Sequence, residues 1–217
     1  MTTYLFDAYG TLFDLNSAFV EISPGIGRNA GRVFEHWRGL QLQYAWLANV
    51  QGAKESFSSC TQRAVVDALS NFDCYSEARE IAFMQAFENV ALYDDAKAAL
   101  EQLDRRGAKL GVLSNGDGPS LQKLSEKNAL NDLGVEMISV DVSSSFKPAP
   151  GAYEVGLKFS DTDRSATTFV SSNWWDVIGA KRFGFNVVWL NRYQTYWPKS
   201  VKMCANTIQY LGELAET

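Results

Sequence analysis

The chain has 217 residues, 46% apolar and 21% charged, with 20 Lys and Arg against 25 Asp and Glu for a net charge of −5. That balance describes one large globular domain, or one domain carrying a smaller insertion, and with no Lys/Arg cluster it argues against nucleic acid or an anionic membrane as partner. Charged or amide residues interrupt every apolar run before the ~20 residues of a membrane span, and a single histidine, His36, speaks against Ser-His-Asp or multi-His metal chemistry. Cys60, Cys74 and Cys204 are scattered without metal-ligand spacing and read as reduced thiols. The start, Met1-Thr2-Thr3, runs directly into a strand with no basic or cleavage signal, so a cytoplasmic protein is expected.

The first predicted element is the apolar run Tyr4-Leu5-Phe6 ending in Asp7 and followed by Ala8-Tyr9-Gly10-Thr11. It reads as a buried strand that delivers a carboxylate to its C-terminal end, where ligands sit in open parallel sheets. Residues 15–89 then hold helical patterning and no strong strand. Apolar residues recur at three- and four-residue steps through 33–47, further helices are expected near 56–68 and 77–87, and Ser23-Pro24-Gly25-Ile26-Gly27 is expected to be a turn.

From about Leu92 helix and strand alternate. Asp94-Asp95 can cap a helix that runs through Leu103 and ends at Gly107. Strand 109–116, helix 120–127, strand 136–141, helix 151–158, strand 169–172, helix 174–183 and strand 186–190 follow. Such alternation implies right-handed crossovers and an α/β, doubly wound parallel sheet. The expected division is a core of 1–14 and 90–217 with a helical cap inserted at 15–89.

Four of these strands end in polar residues, and in a parallel sheet such ends converge on one crevice. They bring Asp7 and Thr11, Ser114 and Asn115, Lys147, and Ser171, Asn173 and Asp176. Each residue alone has an ordinary structural explanation; their conjunction points to a site.

In that order, Asp7-Ala8-Tyr9-Gly10-Thr11, Leu113-Ser114-Asn115-Gly116, Lys147-Pro148 and Ser171-Ser172-Asn173 followed by Asp176 resemble the haloacid dehalogenase superfamily. With Trp37-Arg38 and Gln41-Leu42-Gln43-Tyr44 ahead of Trp46-Leu47, the pattern resembles its L-2-haloacid dehalogenases almost end to end. The resemblance implies a Rossmann-like core and hydrolysis of short 2-halocarboxylic acids to 2-hydroxy acids and halide. It implies Asp7 as the nucleophile that forms an aspartyl ester, Thr11 and Lys147 as its supports, and Tyr153 as a supporting residue near that lysine. Asp176, positioned with Ser171 and Asn173, would act on water; Ser114 would take the substrate carboxylate; Arg38 and Asn115 would stabilise halide. Tyr9, Leu42, Phe57 and Trp175 would form an apolar wall.

The residues support this chemistry independently. Halide leaves without protonation, whereas phosphate-ester hydrolysis in this superfamily uses a second Asp two residues after the nucleophile as general acid and base. Tyr9 stands there, and a phenol with a reference pKa of ~10 cannot do that work near neutral pH. Acids that would hold magnesium after the fourth strand are replaced by Ser171, Ser172 and Asn173, so neither metal nor other cofactor is expected. A magnesium-dependent phosphatase of the same fold and a non-catalytic anion-binding relative are the alternatives. Family members often form homodimers, which the sequence itself does not show. Departures are Gly39 beside Arg38, which loosens the helix or reflects close packing, the divergent segment 16–35, and Asp117-Gly118.

Overall fold

The computed structural model describes residues 2–143 and 145–215. The chain enters through β1 (Thr3–Phe6), turns through a tight loop that holds Asp7, and reaches β2 (Phe13–Asp14). Four helices follow: α1 (Leu15–Ile26), α2 (Ala30–Gln51), α3 (Phe57–Asn71) and α4 (Glu77–Glu88). The chain returns in β3 (Ala91–Leu92), which pairs antiparallel with β2 through Phe13 opposite Leu92. The helices are thus a cap that leaves and rejoins the fold at a two-stranded stem.

Alternation then sets in: α5 (Ala96–Arg105), β4 (Lys109–Ser114), α6 (Gly118–Lys127), β5 (Glu136–Ser139), α7 (Pro150–Ser160), β6 (Thr167–Ser171), α8 (Trp174–Phe183), β7 (Asn186–Leu190) and β8 (Asn206–Ile208). Six strands form one parallel sheet in the order β5-β4-β1-β6-β7-β8. The chain winds from β1 to β4 and β5 on one side, then to β6, β7 and β8 on the other. The switch point therefore lies at β1, and the crevice beyond its C-terminal end is where this topology places ligands. Leu5 sits between Gly111 and Phe169 in register, so β1, β4 and β6 end side by side.

Helix α5 shows why the sheet is covered: Ala96, Ala99, Leu100 and Leu103 fall on one buried stripe at helical spacing. Cap and sheet share one continuous core. Tyr9 stacks on Phe87 with centroids 4.6 Å apart, and Phe87 meets Trp37 at 5.4 Å. No helix among the described residues is long and apolar enough to cross a membrane.

Several local expectations need correction. Ser23 to Ile26 are helical rather than a turn, and the chain breaks only at Gly27. Pro24 removes the N–H that would reach Val20 one turn back, and the Ser23 hydroxyl instead donates to the Val20 carbonyl at 3.3 Å. Asp95 does not cap α5 with its side chain; its Oδ2 accepts from Arg192 at 2.9 Å and from the Leu211 N–H at 2.8 Å. Gly39 is not demanded by packing, since a Cβ there would meet nothing within 4 Å. Strand β8 was not expected: only Ile208 of its three residues is buried, too little for a strand pattern.

Candidate active site

Asp7 follows β1 directly, its N–H donating to the Val170 carbonyl at 2.9 Å as though the ladder with β6 continued one more residue. The chain then folds back sharply, with the N–H groups of Leu12 and Phe13 both reaching the Ala8 carbonyl at 2.9 and 3.0 Å. Gly10 takes φ +85°, a conformation that a side chain would strain. This loop returns Thr11 beneath Asp7. Thr11 Oγ1 donates to Asp7 Oδ2 at 2.9 Å and accepts the Ser172 N–H at 2.9 Å, while Asn173 Nδ2 donates to the same Oδ2 at 2.9 Å.

The other carboxylate oxygen faces Lys147, whose Nζ lies 2.7 Å from Asp7 Oδ1. Lys147 is 1% exposed, so its charge depends on its partners. All three ammonium protons are placed: on Asp7, on Asp176 Oδ2 at 2.8 Å and on the Leu113 carbonyl at 2.9 Å. Burial by itself pushes this ammonium down, but the Asp176 and Asp7 carboxylates outweigh it and leave the pKa above the usual lysine value. Asp176 is fully buried at the start of α8, and burial raises its pKa to about 6 against the opposing pull of Lys147. The Tyr153 hydroxyl donates to Asp176 Oδ1 at 2.7 Å, and Ser171 Oγ donates to Oδ2 at 3.2 Å. Gly179 makes the Tyr153 contact possible, since a Cβ there would lie 2.4 Å from the phenol oxygen.

Above these groups lies a tight chamber, with a free volume of about 10 Å³, lined by Asp7, Tyr9, Arg38, Leu42, Phe57, Ser114, Asn115, Lys147 and Trp175. That is room for about one water molecule, so the cap and core groups close tightly over Asp7. The cap contributes Arg38, Leu42 and Phe57. Arg38 donates through Nη1 to Gln41 Oε1, and its other N–H groups have no protein partner among the described residues. Burial lowers its pKa, against the opposing pull of the nearby Asp7, and a guanidinium stays charged in proteins. Tyr9 is pushed well above the ordinary phenol range, mainly by burial, and stays protonated.

The structure brings together every residue singled out from the sequence and specifies their partners. The Asn173 side chain serves Asp7, while its carbonyl accepts the Asp176 N–H at 3.0 Å and its own N–H donates to Ser171 Oγ at 3.1 Å. Tyr153 bonds Asp176, which in turn bonds Lys147. Asn115 Oδ1 accepts the Lys147 N–H at 2.8 Å, leaving its Nδ2 for the chamber. Ser114 Oγ accepts the Gly116 N–H at 3.0 Å and keeps its proton available. Gln41 was not singled out as a site residue. It is fully buried on an otherwise apolar helix face, a signal that could have found it.

The match to known proteins follows this geometry. Residues 1–184 match the family model described as haloacid dehalogenase-like hydrolase. The chain is 34% identical to (S)-2-haloacid dehalogenase 2 of Pseudomonas sp. strain CBS-3 over 96% of its own length and 87% of the relative's. It is 35% identical to haloacetate dehalogenase H-2 of Moraxella sp. strain B, covering 87% of this chain and 84% of that one. The structure of L-2-haloacid dehalogenase from Xanthobacter autotrophicus with chloropropionic acid covalently bound superposes with a TM-score of 0.89 at 29% identity, covering 100% of this chain and 97% of the other. These full-length matches make the chain a member of the haloacid dehalogenase-like hydrolases and, within them, of the L-2-haloacid dehalogenase family.

Proposed function

We propose that the chain hydrolyses the carbon–halogen bond of short (S)-2-haloacids, giving 2-hydroxy acids and halide through an ester on Asp7, with inversion at C2. The observation that carries this reading is that Asp7 is given donors on both oxygens while the chamber holds no proton donor fit for an oxygen leaving group. Tyr9 stays protonated, Lys147 keeps its proton between two carboxylates, and Arg38 and Asn115 solvate but do not protonate. A halide asks for nothing more.

A carboxylate offers about four lone-pair sites. Asp7 Oδ2 fills its share with Thr11 and Asn173, whereas among the described residues Oδ1 accepts only from Lys147. Oδ1 is therefore the attacking oxygen. Its electron pair forms the bond to C2 as the carbon–halogen bond breaks, and the charge of Asp7 leaves on the halide, which Arg38 and Asn115 receive. Ser114 binds the substrate carboxylate, and Tyr9, Leu42, Phe57 and Trp175 exclude water. Asp176 then takes a proton from water as it adds to the ester carbonyl, and the intermediate collapses by breaking the Cγ–Oδ1 bond as Asp176 returns that proton to Oδ1, which leaves as the hydroxyl of the product. Oδ2, already facing Thr11 and Asn173, carries the negative charge of that intermediate. Ser171 and Tyr153 hold Asp176 in place. Residues 15–89 act as a cap domain on a core of 1–14 and 90–217. A homodimer and a cytoplasmic location, in keeping with three free cysteines, belong to the same proposal.

The test is a halide-release panel over haloacetates and both enantiomers of 2-chloropropionate. Expected is chloride and (R)-lactate from the (S)-acid, undiminished by EDTA, with heavy oxygen from solvent entering Asp7 and not the product in a single turnover. Magnesium-dependent hydrolysis of p-nitrophenyl phosphate without chloride release would instead select the phosphatase.

The pH profile offers a separate check on Asp176. Its ionised form is the one that accepts a proton, and esterified Asp7 no longer raises its pKa, so kcat falls on an acid limb that lies below about 6. The Tyr153 hydrogen bond favours the ionised carboxylate. Tyr153→Phe should therefore move the acid limb to higher pH; a limb that stays in place belongs to another group.

A further inference from the structure

The two cations of the chamber belong to different lobes, Arg38 to the cap and Lys147 to the core, yet Arg38 has no hydrogen bond to the core. Something else must fix how the cap seats. Two two-point contacts span the boundary beside the chamber. From the core, Asp117 Oδ1 and Oδ2 accept the N–H groups of Phe57 and Ser58, at 2.8 and 3.0 Å. From the cap, Asn49 Oδ1 accepts the Phe146 N–H at 2.7 Å and its Nδ2 donates to the Phe146 carbonyl at 2.8 Å.

Neither contact is explained by its own helix. Asp117 stands at the N-cap position of α6, where an Asp normally serves that helix, but makes no capping bond to it. Its carboxylate turns instead to the first turn of α3, whose third free N–H, from Ser59, is taken by Ser56 Oγ at 3.0 Å. A core acid thus completes the cap of a helix in the other lobe, where helix polarity favours it. Asn49 likewise satisfies both backbone polar groups of the residue preceding Lys147.

Each contact continues to a cation. Phe57, held at its N–H by Asp117, accepts through its carbonyl from Thr61 Oγ1 at 2.8 Å. Thr61 Oγ1 accepts from Gln41 Nε2 at 2.6 Å, and Gln41 Oε1 holds Arg38. On the other side Asn49 fixes Phe146, and the next N–H, that of Lys147, is held by Asn115. The rings of Phe57 and Phe146 meet between the two contacts, centroids 5.8 Å apart.

We propose that Asn49 and Asp117 are positioning residues that act crosswise: the core's Asp117 places Arg38 of the cap, and the cap's Asn49 places Lys147 of the core, so that both cations reach their working positions only when the cap is seated. The kinetic part of this proposal rests on the dehalogenase reading; the structural part does not. Asp117→Ala and Asn49→Ala should lower kcat/KM for (S)-2-chloropropionate about 10- to 100-fold, the scale of small misplacements in a site. The double variant Asp117→Ala/Arg38→Ala should be no slower than Arg38→Ala alone, and Asp117→Asn, which retains one acceptor, should recover part of the loss. Amide exchange by NMR provides the readout that needs no activity. Asp117→Ala should speed exchange at Phe146, in the opposite contact, and Asn49→Ala should speed it at Phe57 and Ser58. Should Asp117→Ala fail to fold, Asp117→Asn takes its place in both measurements. Wild-type rates, losses that multiply with Arg38→Ala, or exchange changes confined to each variant's own contact would overturn the proposal. If the wild-type protein releases no halide from any acid, the dehalogenase reading fails while the cross-contact exchange still decides the clamp.

Discussion

Asp7→Asn abolishes halide release from (S)-2-chloropropionate, a loss on the order of 10⁴- to 10⁶-fold, the scale seen when a covalent nucleophile is removed, while the protein remains folded. An amide has no charge to give the leaving halide, and its nitrogen cannot attack C2. The fold survives because the substituted side chain can still be satisfied. An Asn oxygen turned toward Lys147 keeps that contact, and its NH₂ then faces Thr11 Oγ1 and Asn173. The Thr11 proton has a second acceptor in Ser172 Oγ at 3.2 Å, and the Asn173 amide can rotate to present its oxygen. Lys147 keeps Asp176. The variant also carries an internal check: the Asp7 charge raises the Asp176 pKa, so its removal should bring that carboxyl below about 6. Halide release at more than a thousandth of the wild-type rate would sink Asp7 as nucleophile.

The parts of this site that a sequence reveals are those created by local pattern. β1, β4 and β6 are short buried runs that end in polar residues, and alternation with helices dictates that such ends converge. Asp7, Ser114, Lys147 and Asp176 could be placed on that ground. What the pattern withholds is which partner each side chain takes. Asn173 is three residues from Asp176 and yet bonds Asp7, because the turn after β6 aims its amide back across the crevice to the neighbouring strand end. Gln41, Asn49 and Asp117 find their partners 20, 97 and 60 residues away, distances over which periodicity carries no information. The C-terminal turn of helix α1 was hidden for a different reason: Pro24 and Gly25 are turn formers, and packing of Ala18 and Ile22 overrides them as far as Gly27, where the helix ends.

That division bears on mechanism. The charged groups lining the chamber, Asp7, Lys147 and Arg38, together with Asp176 buried behind Lys147, sum to zero. A substrate carboxylate and a departing halide then change the site's charge only by what enters and leaves, while the reaction moves one negative charge from one side of C2 to the other. In the proposed mechanism the receiving side is served by Arg38 of the cap, which would couple seating of the cap to progress of the reaction.

Lys147→Met should be the most damaging substitution for the folded state. Methionine matches the length of the stem but supplies none of the three donors, leaving Asp7, Asp176 and the Leu113 carbonyl unserved in a buried site. Breaking a buried ion pair on one side costs about 3–5 kcal/mol, and at roughly 2–4 °C per kcal/mol for a chain of this size the melting temperature falls by roughly 6–20 °C. The deficit should depend on pH with a defined sign. Lys147 holds the Asp176 pKa down, so without it that carboxyl rises further above the ~3.9 of an unfolded aspartate. Between those two values the folded variant binds more protons than the unfolded chain, and its stability declines as pH rises. Wild-type Asp176, raised only to about 6, has a shorter window of the same sign. Calorimetry should therefore find the gap between variant and wild type smaller at pH 5 than at pH 8. Catalysis should fall on the order of 10³-fold or more at either pH, because Asp7 loses the ammonium that holds its Oδ1 in line at 2.7 Å. A gap independent of pH would mean that Asp176 does not take up the proton that the missing ammonium leaves behind.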